Sequence, residues 1–264
     1  VDLYSRTEGG GIRDLQALHG QVARSYDAIL SMAWPNVPFS SEQDRFHPMM
    51  GIKKILRSLA RGPSPKTLFI FFSSCAVYGE THPSRPASER RRCGPLGHYA
   101  VQKLQTERLI QSLARRHKIP FCILRISNLF GALHRTSVPQ GIVPRLIQSA
   151  RTGKRMEIWG NGSATKDFLH YRDLALALQN IIKNRIEGTF NVCAGRSHSL
   201  NEVIKKVEAF LGKPVKICVH PAQPWDVRRA FLSNSRFRRV AAWTPSVSLD
   251  QGLRQMIRHL HRRK

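Results

Sequence analysis

Residues 67–79, Thr-Leu-Phe-Ile-Phe-Phe-Ser-Ser-Cys-Ala-Val-Tyr-Gly, decide the fold. Thr67 to Phe72 is a short apolar run without a polar face, which reads as a strand covered on both sides. It breaks directly into Ser73 and Ser74, and hydroxyl residues at the carboxyl end of such a strand lie where open α/β sheets bind their ligands. Upstream, Ala28 to Ala33 reads as a second buried strand. Between the two, Pro48 to Arg61 predicts a helix, with Pro at its start, apolar Met49, Ile52, Ile55 and Leu56 at helical spacing, and Gly62-Pro63 as a stop. Downstream come a polar loop from Glu80 to Gly97, a helix from about Tyr99 to His117, and the apolar strand Phe121 to Ile126. Strands alternating with helices predict a parallel, doubly wound, Rossmann-like α/β sheet.

The last third changes character. Met156 to Trp159, Thr189 to Val192 and Val215 to Val219 are short strands, and Ser199-x-x-Glu202 and Ser248-x-x-Gln251 are capping boxes ahead of apolar periodic stretches. The expected organisation is a sheet domain over residues 1–135, which also takes back residues from about 165 to 195. A smaller α/β cap over 136–264 is expected to bind substrate.

Composition narrows the function. The 264 residues are 41% hydrophobic, enough for a buried core and too apolar for a mainly disordered chain. Lys and Arg number 43 against 17 Asp and Glu, a net charge of +26 that points to anionic partners without choosing among them. No apolar run approaches the roughly 20 residues that cross a bilayer, so no membrane partner is expected. The five cysteines, Cys75, Cys93, Cys122, Cys193 and Cys218, are scattered without a Cys-x-x-Cys pair. That spacing suggests neither a disulfide framework nor a metal site, and fits a reduced, cytoplasmic compartment.

Tyr99 and Lys103 stand four residues apart, on one helix face. A phenol ionises near pH 10, and a nearby ammonium favours the phenolate, so the pair suits proton exchange with a substrate oxygen. Taken alone it reads equally as ordinary helix surface. Ser74 just after the strand supplies a hydroxyl for the same oxygen.

With these motifs in order, the chain resembles the NAD-dependent epimerase/dehydratase group of extended short-chain dehydrogenases, in its UDP-glucose 4-epimerase-like branch. The resemblance rests on SSCAVYG (73–79), YAVQK (99–103), LRISNLFG (124–131), the stretch from Gly141 to Leu178, GTFNVCAG (188–195) and the stretch from Trp225 to Pro245. It implies a nucleotide-sugar substrate, most simply a UDP-sugar, and NAD as cofactor, with NADP as the variant if Arg6 meets a 2′-phosphate. It implies Ser74 as the catalytic hydroxyl, Tyr99 as the acid/base, and Lys103 as the residue that binds the nicotinamide ribose and lowers the Tyr99 pKa. Ile12 and Ala33 fall at cofactor-contacting positions, and Asn128, Lys166 and Asp226 at substrate-contacting ones. Lys166 replaces a usual arginine and so lacks its planar fork. A homodimer is the assembly such a chain would be tested for.

The pattern also breaks. The chain opens past the expected first strand and glycine-rich phosphate turn, and Gly9-Gly10-Gly11 does not replace them. Truncation by about 30 to 40 residues, the start of a βαβ unit, is one reading. A cofactor-deficient protein on this fold, with RNA as a partner for its charge, is the other.

Overall fold

In the computed structural model the described residues are 4–5, 13–14, 26–32, 42–61, 66–131 and 141–261. Two short strands, β1 (Tyr4–Ser5) and β2 (Arg13–Asp14), pair in parallel. The central sheet is parallel throughout, in the order β3 (Ala28–Ser31), β4 (Leu68–Ser74), β5 (Phe121–Ile126), β9 (Gly188–Val192). The intervening elements are α1 (Glu42–Arg61), α2 (Gly97–His117), β6 (Asn128–Phe130), α3 (Ile142–Thr152), β7 (Met156–Trp159), β8 (Thr165–His170) and α4 (Tyr171–Asn184). After β9 come β10 (Ser197–Ser199), α5 (Leu200–Leu211), β11 (Ile217–His220), α6 (Ser235–Ala241) and α7 (Leu249–His261).

The apolar run at 67–72 is buried on both sides because successive strand residues face opposite layers. Phe69 and Phe71, with Ile123, pack on Ile52, Ile55 and Leu56 of α1 and Ile110 and Ala114 of α2. Leu68 and Ile70, with Leu124 and Phe190, pack on Leu174, Ala177 and Ile181 of α4 and on Phe237 and Trp243. A separate core beyond the carboxyl edge joins α3, α5 and α7 through Leu146, Val203, Val207 and Leu253, with Phe130 and Phe168 at its border. There β7 pairs in parallel with β11, and β8 lies between β10 and β6.

The helix expected from Pro48 begins six residues earlier, at Glu42, and runs through the proline. A proline inside a helix removes one backbone bond, and here the helix continues on both sides of it. The strand expected over 28–33 ends at Ser31, and Leu30 in it is 39% exposed. The Ser248 capping box is complete: Gln251 N–H donates to Ser248 Oγ at 3.2 Å and Ser248 N–H to Gln251 Oε1 at 2.9 Å. The Ser199 box is half made: its Oγ accepts from Glu202 N–H, while the Glu202 carboxylate pairs with His198. All five cysteines are free thiols.

Candidate functional site

The carboxyl end of β4 is where the chemistry-bearing side chains gather. Ser74, its last residue, caps a short 3-10 turn, Cys75–Tyr78, by accepting the Ala76 N–H at 3.2 Å. The turn closes on Gly79, whose φ of +64° is open to glycine. A Cβ at Gly79 would stand 1.9 Å from the Gly94 carbonyl oxygen, so the loop beyond folds tightly back against the turn.

That return loop delivers α2 with Tyr99 in its first turn. Tyr99 is 49% exposed and its phenol is hydrogen-bonded with the Ser74 side chain. Burial of the ring's inner side pushes the phenol above its usual range, and the bond with Ser74 works the other way. One turn on, Lys103 is only 3% exposed. Its Nζ donates to the Phe72 carbonyl at 2.6 Å and lies 4.8 Å from the centre of the Phe71 ring and 5.8 Å from that of Tyr99. Desolvation pulls the ammonium down to about 7, with the Glu107 carboxylate opposing the shift. The sequence expectation of a phenol lowered by Lys103 therefore differs from what this geometry gives. Tyr99 is raised, and the lysine's own charge is weakened by burial.

A second group stands beyond Cys75. Lys166 Nζ donates to the Val227 carbonyl, and burial lowers its pKa against the opposing charges of Cys75, Asp226 and Glu80. Asp226 lies in an exposed turn, where its Oδ2 accepts the Gln223 N–H at 3.2 Å. The neighbouring Trp225, 60% exposed, packs its Cβ 3.4 Å from the position a side chain on Gly97 would take, beside the start of α2. Asn128 opens β6 and donates from Nδ2 to the Asp167 carbonyl at 3.0 Å. The structure thus brings Ser74, Tyr99 and Lys103 into one cluster, with Lys166 near both Cys75 and Asp226, and Asn128 tied to the strand that carries Lys166. Ile12 and Ala33 lie outside the described residues, as do Arg6, the glycines at 9–11 and Trp34.

Several residues that hold this site escaped the sequence reading. Beneath Lys103, the buried Glu107 carboxylate accepts Ser73 Oγ at 2.5 Å and pairs with Arg125, Nη2 to Oε2 2.7 Å. Arg125 Nη1 donates to the Tyr78 hydroxyl at 3.0 Å, which donates to Asn191 Oδ1 at 2.7 Å. The signal was present: an arginine inside the apolar strand Phe-Cys-Ile-Leu-Arg-Ile requires a buried partner. Asp167, fully buried, accepts the backbone N–H groups of Ala194, Gly195 and Arg196 at 2.9, 2.7 and 3.1 Å. Burial raises its pKa, and those bonds oppose the rise. The adjacent Cys75 thiol is pushed up to about 11 by burial, then by the Asp167 charge, which makes it a poor nucleophile. Among the described residues no His, Cys, Asp and Glu side chains group as metal ligands, and no helix is long and apolar enough to cross a membrane.

Comparison with known proteins agrees with this architecture. The chain is 25% identical over 210 residues to the UDP-glucose 4-epimerase of Mycolicibacterium smegmatis, covering 79% of this chain and 63% of that protein. It is 24% identical over 200 residues to the dTDP-glucose 4,6-dehydratase of Xanthomonas campestris, covering 72% of this chain and 56% of that one. The chain thus spans less than two thirds of these relatives. Among solved structures, the UDP-glucuronic acid 4-epimerase of Bacillus cereus, in complex with UDP-glucuronic acid and NAD, superimposes with a TM-score of 0.80 at 26% identity. That match covers 95% of this chain and 79% of the other. The UDP-glucose 4-epimerase of Thermotoga maritima, with UDP-glucose, matches in fold with a TM-score of 0.82 at 21% identity, over 95% of this chain and 82% of that one. The description of the NAD-dependent epimerase/dehydratase family matches residues 4–193, and the chain belongs to that family.

Proposed function

We propose that this chain interconverts an alcohol and a ketone on the sugar of a nucleotide-sugar, with Tyr99 as the acid/base, and that a C4 epimerisation is the net reaction. The observation that carries the reading is the Ser74–Tyr99 hydrogen bond, set at the carboxyl edge of a parallel sheet with Lys103 buried one helical turn behind it.

NAD fits the chemistry of these residues. A desolvated ammonium at the sheet's ligand edge supplies a donor to the ribose hydroxyls of a dinucleotide, and the neighbouring parallel strands form the crevice in which such ligands lie. NAD, its ribose held by Lys103, would supply the hydride acceptor and donor for the sugar carbon. The protein's own work is at the oxygen. As the alcohol becomes a ketone, its O–H proton passes to Tyr99 Oη, while Ser74 Oγ hydrogen-bonds the same oxygen and holds it in line. As the ketone returns to an alcohol, Tyr99 gives the proton back. The forward step needs Tyr99 as the phenolate, so the phenol first releases its own proton to solvent, and the return step leaves the phenolate again. Lys103, Ser74 and the bound oxygen offset the cost of the phenolate in the forward one.

Asn128, Lys166 and Asp226 are the groups we assign to the nucleotide-sugar, Lys166 facing its diphosphate. Elimination of water would require a further acid and base at neighbouring carbons. Next to Ser74, the Cys75 thiol is pushed up to about 11 and the nearby Asp167 is tied to three backbone amides, so neither is poised for the second proton transfer, which favours epimerisation over dehydration. Calorimetry with NAD tests the cofactor assignment directly: the chain binds it, and Lys103→Met weakens binding. Absence of NAD binding contradicts it.

A further inference from the structure

A cleft of about 580 Å³ lies between the loop at His82 and Pro83 and the loop at 195–198, with Thr165 also among its lining residues. None of Ser74, Tyr99, Lys103, Asn128, Lys166 or Asp226 lines it. Thr165 and Lys166 are consecutive strand residues, so their side chains leave β8 on opposite faces. We propose that this cleft is a second anion site that takes a nucleoside mono- or diphosphate, apart from the Ser74–Tyr99 centre.

Its charge comes from Arg196 and Arg229. Both residues line the cleft, and among the described residues neither guanidinium has a hydrogen-bond, ion-pair or ring partner that would hold it away from an anion. The carboxylate at the rim, Glu202, is already engaged: His198 Nδ1 lies 2.7 Å away and Lys206 Nζ 3.8 Å. The His82 tautomer is set by its neighbours. Its Nδ1 accepts the backbone N–H groups of Ser84 and Arg85 at 3.1 and 3.2 Å, which leaves the proton on Nε2 as a further donor. The half-buried Phe231 ring and Pro83 supply an apolar wall suited to a flat base. Two guanidiniums for a phosphate, an aromatic wall for a ring, and a volume inside the ordinary range for small ligands together describe a nucleotide.

The site is coupled to the main one through the backbone. Arg229 and Thr165 pair as a parallel bridge, with Thr165 N–H donating to the Arg228 carbonyl at 2.8 Å and Ala230 N–H to the Thr165 carbonyl at 3.0 Å. Arg196 N–H is fixed to Asp167. An occupant drawn onto both arginines therefore clamps the strand that carries Lys166, which gives a free nucleotide a handle on substrate binding.

Equilibrium dialysis of the full chain against labelled UDP tests this. The expected result is two UDP per chain. The double variant Arg196→Glu/Arg229→Glu weakens one of the sites by about 100-fold, the scale of two lost charge-assisted contacts. Both arginines are exposed and have no side-chain partner among the described residues, so an unchanged melting temperature accompanies the loss, and the milder Arg196→Gln/Arg229→Gln pair gives the same order of effect. Lys166→Glu removes the other site only, so failure of the nucleotide-sugar assignment leaves the arginine-dependent site intact and visible. Binding that the double variant does not alter, or a single site lost in Lys166→Glu, overturns the proposal. Inorganic phosphate that competes as well as UDP overturns its nucleoside part.

Discussion

Arg125 grips Glu107 from within the central sheet: Nε is 3.1 Å from both carboxylate oxygens, Nη2 is 2.7 Å from Oε2, and the side chains are 8% and 1% exposed. The pair locks α2, which carries Tyr99 and Lys103, to β5, and through Ser73 to the end of β4. Burying a lone charge costs more than removing the pair. Glu107→Ala is therefore expected to lower stability by about 3–5 kcal/mol in urea denaturation. The double variant Glu107→Leu/Arg125→Met should recover most of that loss. A double variant as unstable as the single one would show that the ion pair itself, rather than the orphaned guanidinium, accounts for the effect.

Lys103 makes stability depend on pH. Its folded pKa, lowered to about 7 by burial, lies below the free value of about 10.4, so the unfolded chain binds more protons between the two. Stability therefore rises with pH above about 7, by on the order of 1–2 kcal/mol before pH 8.5, at about 1.36 kcal/mol per unit. The buried thiols act oppositely: raised to about 11 for Cys75 and about 12 for Cys122, they withdraw stability as pH climbs past the free-thiol value. Denaturation of wild type and Lys103→Met in parallel removes the shared thiol contribution. The difference between their stabilities should move in favour of wild type as pH rises from 7 to 8.5, and parallel curves would contradict the assigned burial.

Gly79 is fixed by backbone rather than by side chains. With φ at +64° and the Gly94 carbonyl 1.9 Å from any added Cβ, Gly79→Ala must shift the turn that follows Ser74. A destabilisation of at least about 2 kcal/mol is expected. In a chain of this size that lowers the melting temperature by about 4–8 °C. A variant with unchanged melting and unchanged activity would mean the Ser74–Gly94 loop is not held as described.

The sheet was legible because β4 and β5 alternate between two covered layers, and a strand buried on both faces leaves a continuous apolar run. The carboxyl-edge cluster was legible for a similar reason: Ser74, Tyr99 and Lys103 sit at spacings fixed by a strand end and one helical turn. What holds the cluster was not. Glu107, Arg125, Tyr78 and Asn191 meet across two strands, a helix and the 3-10 turn, from positions that share no local spacing. Their joint burial is a tertiary fact, announced in sequence only by the arginine inside the Phe121–Ile126 run. The burial that raises Tyr99 was not legible, because charge proximity is visible in a helix repeat while desolvation is not. The start of α1 was misplaced because a proline commonly opens a helix, whereas here the chain is helical before it.

Tyr99 carries the proposed proton transfer. Mixing the chain with UDP-glucose and NAD, and following both C4 epimer formation and UDP binding in wild type and Tyr99→Phe, isolates the proton transfer from ligand capture. We predict that Tyr99→Phe lowers the rate by about 10²–10⁴-fold, the usual contribution of a positioned acid/base, with UDP affinity unchanged. Wild-type turnover in Tyr99→Phe would contradict the assignment of the acid/base to this phenol.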